Sequence, residues 1–180
     1  KDEKIIFVGD NDAVKSFIGK KTKVIDIKGK MILPGFIDSH AHPISSYRYF
    51  YELNLYGLKT KEKIQNAIKN YIAAHPEAKY LKGRGWSNTD FPKTGPDKKI
   101  LDEVVKDIPV SFSSEDAHSK WVNSETLELA RMTKETKNPQ GGIIERYPST
   151  NEPNGTLREN AANLIYDIFP LYSVEELMKG

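Results

Sequence analysis

The sequence predicts an α/β fold, because short apolar runs typical of strands alternate with segments of helical spacing. Residues 5–8, 23–28, 80–86 and 108–113 are the strand-like runs, and residues 61–74 form the clearest helical pattern. Hydrophobic residues make up 38% of the 180 residues, which is adequate for a core in a chain of this length.

The first part of the chain is predicted to hold three strands and one short helix. Glycine-containing turns follow the strand-like runs at 5–8 and 23–28, and residues 12–19 between them have apolar side chains at helical spacing. The third strand, 36–42, follows a Pro-Gly turn signal and stops before a proline.

Two histidines of this third strand are candidate metal ligands. His40 and His42 have the same parity, so in a strand their side chains project from the same face. Neutral imidazole suits zinc and similar divalent ions, and two imidazoles on one face form a bidentate clamp. The alternative is a pair of solvated histidines at a strand end.

The helix predicted over 61–74 carries an apolar stripe along one face, with Thr60 as its N-cap. His75 falls in the turn that ends the helix, where a capping or exposed histidine is favoured, so it is not counted as a ligand. The later predicted elements are a helix at 100–105, the strand at 108–113, a helix at 124–130, a strand at 141–146 and a helix that begins at 156 and reaches 165.

Several spaced motifs together resemble the amidohydrolase superfamily of metal-dependent hydrolases. The string Pro-Gly-Phe-Ile-Asp-Ser-His-Ala-His at 34–42 is similar to the segment that carries the first metal ligands of that family. Further motifs are similar to the branch that includes N-substituted formamide deformylase: Gly85-Trp86, Asp116-x-His118-x-x-Trp121-Val-Asn123, Gly141-Gly-Ile-Ile144 and Gly155-x-Leu157-x-Glu159. Each motif alone is weak, and their combination is specific.

The resemblance implies a two-part architecture. Residues 1–34 would form part of a small N-terminal β-sandwich domain, and residues 35–180 the first portion of a (β/α)8 barrel. An inserted α/β segment would occupy about 43–107 and 131–160 of that portion. A complete barrel needs about 250 residues, so only its first strands would be present.

The resemblance also implies roles for individual residues. His40 and His42 would be metal ligands, with zinc the expected metal and one or two ions in the complete enzyme. Barrel enzymes work at the carboxyl ends of their strands, so Asp116 and His118, which follow the strand at 108–113, would lie at the active-site mouth as catalytic residues. Substrate-binding residues would be Trp86, Trp121 and Glu159.

Each of these residues also has a structural interpretation. Ser114 or Asp116 would cap a loop, and His118 would satisfy a backbone group. Trp86 would fill the core beside its glycine-rich turn, and Glu159 would be a first-turn carboxylate favoured by a helix dipole. The sequence leaves ligand and supporting roles for Asp116 and His118 open.

Composition excludes several other classes of function. The chain has no cysteine, so it has neither disulfides nor a thiolate metal site. Its charges are interspersed and sum to +2, which gives no basic footprint for nucleic acid or anionic membrane, and no apolar run is long enough to span a bilayer. We expect a cytoplasmic protein with a small-molecule substrate, and pairing between copies through exposed strand edges.

The chain has four histidines, and none follows Trp121. The family completes its metal site with ligands on later strands, so the resemblance implies a fragment of a C–N bond hydrolase that is inactive as an isolated chain. One alternative is a non-catalytic interaction domain whose histidines bind nothing. Another is hydrolysis of a different bond, such as that of an ester, at the same metal site.

Overall fold

Residues 3–40 and 48–178 are described by a computed structural model, and they divide between two units. The first unit is Lys1–Ala41 and the second is His42–Gly180. The sequence placed a boundary at 34, between a sandwich and a barrel, and that assignment stays a prediction. Within the described residues, no helix is long and apolar enough to cross a membrane.

The first unit contains a 3₁₀ helix, Ala13–Phe17, and residues 3–40 contain no strand. The predicted helix at 12–19 is therefore present as a shorter 3₁₀ turn, which the carboxylate of Asp10 caps by accepting from two backbone N–H groups. The strands predicted at 5–8 and 23–28 are wrong, and the described part of 36–42 is also irregular. A strand is stabilised by a neighbouring strand, and residues 3–40 offer none, so Ile5 and Phe36 are 84% and 93% exposed.

The second unit is built on one six-stranded mixed sheet. The strands are β1 Leu53–Asn54, β2 Leu81–Trp86, β3 Val110–Ser114, β4 Ser119–Val122, β5 Gly142–Arg146 and β6 Pro153–Glu159, in the order β1-β2-β3-β4-β6-β5. The first three are parallel, and the remaining pairs are antiparallel. The predicted α/β class is confirmed, while a complete (β/α)8 barrel stays a prediction.

The helices of the second unit are α1 Arg48–Tyr51, α2 Lys61–Ala74, α3 Lys99–Asp102, α4 Ser124–Leu129 and α5 Val174–Leu177, with further 3₁₀ helices at Asn88–Asp90 and Asn160–Ile168. Helix α2 connects β1 to β2 and α3 lies between β2 and β3, since parallel strands need a crossover connection. Helix α2 begins and ends as predicted: the Thr60 hydroxyl accepts from the backbone N–H of Lys63, and Ile64 and Ile68 are fully buried. At the end of the helix His75 Nδ1 lies 2.9 Å from the Tyr71 carbonyl oxygen, which confirms the capping interpretation, and the His75 ring stacks on Tyr71.

Two predictions for the second unit are corrected by the sheet. The polar stretch at 114–123 contains β4, which forms a hairpin with β3. The helix predicted from 156 to 165 is instead β6 followed by a 3₁₀ helix. The prediction was wrong because Leu157, Ala161 and Ile165 are spaced four residues apart, as on one face of a helix. All three are buried in one cluster, but Leu157 belongs to a strand and the other two to a 3₁₀ helix.

The two faces of the sheet differ in character. Gly83, Phe112 and Trp121 are register partners on β2, β3 and β4, and they face the apolar core to which helix α2 contributes Ile64 and Ile68. The opposite face of the same strands carries lysine and serine side chains. A second apolar cluster, around Ile144 and Leu157, lies at the β5–β6 end of the sheet.

Candidate functional site

Polar side chains meet where the parallel strands β2 and β3 end. Asn88 follows β2 and Asp116 follows β3, and the Asn88 amide donates to Asp116 Oδ2 at 3.1 Å. Because Trp86 and Ser114 are register partners, the two chain segments leave the sheet side by side. This edge is the carboxyl end of the parallel strands, where α/β enzymes of barrel and open-sheet type place their active sites.

Asp116 is held by donors on its own hairpin. Its Oδ1 accepts from the Ser114 hydroxyl at 2.5 Å and from the His118 backbone N–H at 3.0 Å. The Ser114 hydrogen bond, with a smaller contribution from the His118 N–H, holds the pKa of Asp116 below its usual range. Asp116 is therefore an ionised acceptor at neutral pH, and the loop-capping interpretation of this residue is confirmed.

His118 pairs with Glu159 across two strands. Its Nδ1 lies 3.0 Å from Glu159 Oε2, and both side chains are more than half exposed, at 66% and 57%. The hydrogen bond and charge of the Glu159 carboxylate raise the pKa of His118 above its ordinary value. An exposed imidazole that is oriented by a carboxylate can accept or donate a proton near neutral pH.

Backbone hydrogen bonds also hold His118 and Glu159 next to each other. The Glu159 N–H donates to the His118 carbonyl oxygen at 2.8 Å, and Ser119 pairs with Arg158 in the β4–β6 register. Glu159 has φ of +49° and Ala117, in the β3–β4 turn, has φ of +63°. Positive φ is uncommon for residues other than glycine and clusters at functional sites, so both turns are held by their surroundings.

Asn88 and Arg158 belong to this cluster although the sequence did not identify them. Arg158 donates to the Asn88 side-chain oxygen at 3.2 Å, to the Lys93 carbonyl oxygen at 2.8 Å and to the Glu145 carboxylate at 2.5 Å. The signal that could have indicated β6 was the turn-rich stretch 148–152 between two β-type segments, which is typical of a hairpin. We call Asn88, Asp116, His118, Arg158 and Glu159 the edge cluster.

The two predicted substrate-binding tryptophans lie in the core. Trp86 is 1% exposed and Trp121 is fully buried, and their rings contact each other edge to face at 6.5 Å between centroids. The Trp86 indole N–H donates to the Phe112 carbonyl oxygen, and that of Trp121 donates to the Asp97 carbonyl oxygen. The structure thus supports the core interpretation of Trp86, and substrate contact by either ring stays a prediction.

The candidate metal ligands are only partly described. His40 is exposed, in a bend where its backbone N–H bonds to the Asp38 carboxylate at 2.9 Å, and His42 lies outside the described residues. Two imidazoles fit zinc in kind, but a stable site needs further ligands. Across residues 3–40 and 48–178, no group of three or more histidine, aspartate or glutamate residues is arranged to hold a metal ion.

The chain is similar to known proteins along nearly all of its length. The pattern of the Amidohydrolase family matches residues 23–180. The exoenzymes regulatory protein AepA of Pectobacterium carotovorum subsp. carotovorum is 33% identical over 184 residues, and N-substituted formamide deformylase of Arthrobacter pascens is 29% identical over 166 residues. These alignments cover 97% and 91% of this chain but only 39% and 30% of the two relatives.

The chain is also similar in fold to a solved structure. The crystal structure of an uncharacterized metal-dependent hydrolase from Pyrococcus horikoshii OT3 aligns with 96% of this chain and 32% of its own, at 22% identity and a TM-score of 0.50. The chain thus spans about a third of the length of the proteins it matches. Since the family pattern matches from residue 23 to the last residue, the chain belongs to the amidohydrolase family.

Proposed function

We propose that this chain is part of a metal-dependent hydrolase that cleaves carbon–nitrogen bonds other than peptide bonds in a small-molecule substrate. The observation that carries the proposal is the edge cluster, since a paired imidazole and an ionised carboxylate lie at the carboxyl ends of β2 and β3. Membership of the amidohydrolase family and the similarity to a formamide deformylase support the choice of bond.

His40 and His42 are the proposed metal ligands in this chain, and zinc is the proposed metal, as one or two ions. When bound, the metal would lower the pKa of a coordinated water and polarise the scissile carbonyl. The described residues hold no cluster of three or more histidine, aspartate or glutamate side chains arranged for a metal ion, and we propose that the 180-residue chain lacks hydrolytic activity.

In the proposed site, His118 holds and transfers a proton, with Glu159 orienting its imidazole. Asp116 is the second catalytic residue, kept ionised to accept a hydrogen bond from the substrate. Glu159 also binds substrate through its exposed side chain, and Trp86 and Trp121 support the site from the core beneath it. The proposal includes a cytoplasmic location and pairing of copies along the sheet edges at β1 and β5.

The ligand assignment is tested by titrating the 180-residue chain with Co²⁺ and recording the visible absorption of the bound ion. We expect weak binding that is lost in His40→Ala and in His42→Ala, because each variant removes one arm of the clamp. His75→Ala is the matched control, since that ring packs against Tyr71 at the end of α2. Equal titrations of the wild-type chain and both variants would exclude the clamp and favour the interaction-domain alternative.

The reaction is tested separately on the complete gene product, with N-formyl amines and cyclic amides as substrates. We expect hydrolysis to require added divalent metal and to fall at least about 100-fold in His118→Gln, as is typical when a general acid or base is removed. Asn66→Ala, an exposed change on α2, should leave the rate unchanged. Hydrolysis of esters but not of amides would contradict the proposed bond.

A further inference from the structure

A cavity of about 180 Å³ lies on the polar face of the sheet, away from the edge cluster. This volume far exceeds the ~10–15 Å³ that one water molecule needs, so the cavity can hold a small molecule. Strands β2, β3 and β4 form its floor, and the segment around the last 3₁₀ helix forms its wall. All of it belongs to the second unit of the chain.

The sheet register places four polar side chains together on this floor. Lys82 pairs with Ser111, and Ser113 pairs with Lys120, across β2, β3 and β4. Ser111 and Ser113 are two residues apart, so they share a face, and register partners share that face as well. Phe112, between the serines, points into the core on the other side.

The cavity has an excess of positive charge. Its lining includes three cationic side chains, from Arg48, Lys82 and Lys120, and one carboxylate, from Glu52. That carboxylate is already engaged, since Glu52 Oε1 lies 3.0 Å from Arg48 Nε and accepts from the Tyr172 hydroxyl at 3.4 Å. Glu52 also favours the charged form of both lysines, but one carboxylate against three cations leaves the described lining with an excess of positive charge.

Both lysines retain hydrogen-bonding capacity. Lys82 Nζ donates to the Pro170 carbonyl oxygen and lies over the Tyr172 ring, and Lys120 Nζ donates to the Ser113 hydroxyl at 2.6 Å. In the described residues, neither ammonium has a carboxylate within 4.0 Å. An ammonium has three donors, so each has protons left for a ligand.

Burial makes these charges costly without a partner. It lowers the pKa of Lys82, and it lowers the pKa of Lys120 to about 8. With a pKa of about 8, Lys120 is mainly protonated at neutral pH. Buried charges in proteins are paired or hydrogen-bonded, and an anion between the two ammoniums would supply the missing partner.

We propose that this cavity binds a small organic carboxylate, with its charged group between Lys82 and Lys120 and its hydrocarbon part against Ile165 and Phe169. Those two apolar side chains line the same cavity, and Ile165 is almost fully buried. The inference does not depend on the proposed hydrolase function, because no residue of the edge cluster lines this cavity.

The test is a titration of the isotopically labelled 180-residue chain, followed by amide chemical shifts, with four probes. Butyrate carries both recognised features, butyramide is its neutral isostere, acetate lacks most of the hydrocarbon, and inorganic phosphate is an anion without carbon. We expect butyrate to bind, acetate to bind more weakly, and butyramide not to bind, with shifts centred on β2, β3 and β4. These comparisons need no variant.

Variants that remove a positive or a negative charge from the cavity test the charge argument. Lys120→Gln and Lys82→Gln should each weaken butyrate binding at least about tenfold, since each removes one half-buried partner of the carboxylate. Glu52→Gln should strengthen binding, because it removes the only carboxylate that lines the described cavity. Lys69→Gln is the matched control, since that lysine is exposed on α2 and should not change the affinity.

The outcomes separate clearly. Equal binding of butyrate and butyramide, or no binding of butyrate, would overturn the proposal, and so would phosphate binding more tightly than butyrate. Weaker binding in Glu52→Gln, with the variant still folded by circular dichroism, would contradict the charge argument. Butyrate binding would stand even if the Co²⁺ titration found no clamp at His40 and His42.

Discussion

Replacing Asn123 by alanine should destabilise the second unit more than any surface change near the edge cluster. The Asn123 side chain is fully buried, and its amide nitrogen donates to the carbonyl oxygens of Val105 and Ile108 at 3.3 and 2.9 Å. Its Oδ1 accepts from the Val110 N–H and from both the N–H and the hydroxyl of Thr126. One side chain thus joins the start of β3 to the start of α4.

The magnitude follows from the groups that lose a partner. Two buried carbonyl oxygens lose their donor, at about 1–3 kcal/mol each. The first turn of α4 loses its N-cap, which contributes about 1 kcal/mol more. Val110 N–H is a smaller loss, because the Thr126 hydroxyl also accepts from it. We therefore expect a decrease of about 3–7 kcal/mol in the free energy of unfolding, a large fraction of the ~5–15 kcal/mol typical of a domain.

The measurement is urea unfolding of the 180-residue chain followed by far-ultraviolet circular dichroism, with the midpoint and slope fitted for each variant. Asn66→Ala, an exposed asparagine on α2, is the matched control, and its effect should stay within about 0.5 kcal/mol. A loss smaller than about 1 kcal/mol in Asn123→Ala would refute the reasoning, since it would mean that water or backbone groups replace the side chain.

Two titration predictions concern the edge cluster. Glu159→Gln should lower the pKa of His118 toward its ordinary value, because the carboxylate that favours the imidazolium is removed; two-dimensional NMR of the imidazole measures this. Since the pKa of His118 is raised in the folded state, the pair stabilises the fold below the unfolded pKa. That contribution is lost as pH rises through the folded pKa. An unchanged His118 titration in Glu159→Gln would refute the pairing. Ser114→Ala should raise the pKa of Asp116, because its first and strongest donor is lost. The ionised Asp116 stabilises the fold above its unfolded pKa, and that contribution is lost as pH falls through its folded pKa. In Ser114→Ala the midpoint of acid unfolding should therefore move to higher pH. An unchanged midpoint would contradict the assignment.

Local signals predicted the elements whose hydrogen bonds are local. Helix α2 was located with both ends, because its N-cap at Thr60 and its apolar stripe are contained in the helix itself. Helix α4, predicted at 124–130, lies at Ser124–Leu129, and the Asn123 side chain caps it. The buried strands β2 and β3 were recognisable because each is an apolar or glycine-rich run that ends in a turn.

The errors arise where a strand depends on a distant partner. Residues 5–8 and 23–28 have strand composition, but composition does not supply a neighbour to complete the hydrogen-bond ladder. Strand β6 was predicted as a helix because Leu157 and Ala161 are four residues apart. Both residues are buried, but the chain changes from strand to 3₁₀ helix at Glu159, between them.

The sequence indicated three residues of the edge cluster, Asp116, His118 and Glu159, but neither Asn88 and Arg158 nor the geometry. Asp116 and His118 were identified from their place after a strand, and the two hydrogen bonds to Asp116 Oδ1 come from residues two positions away along the chain. The contact between His118 and Glu159 joins residues 41 apart in sequence. It depends on the register of β4 against β6, which only the folded sheet defines.

That register also determines where this part of the protein can change in length. Side chains alternate along β6, so inserting or deleting one residue between Pro153 and Glu159 would turn the Glu159 carboxylate to the other face and away from His118. The turn at 148–152 lies beyond the last paired residues, Arg146 and Pro153, where extra residues are accommodated in solvent. Lengthening is therefore tolerated at the hairpin tip and excluded from the strand that carries the carboxylate.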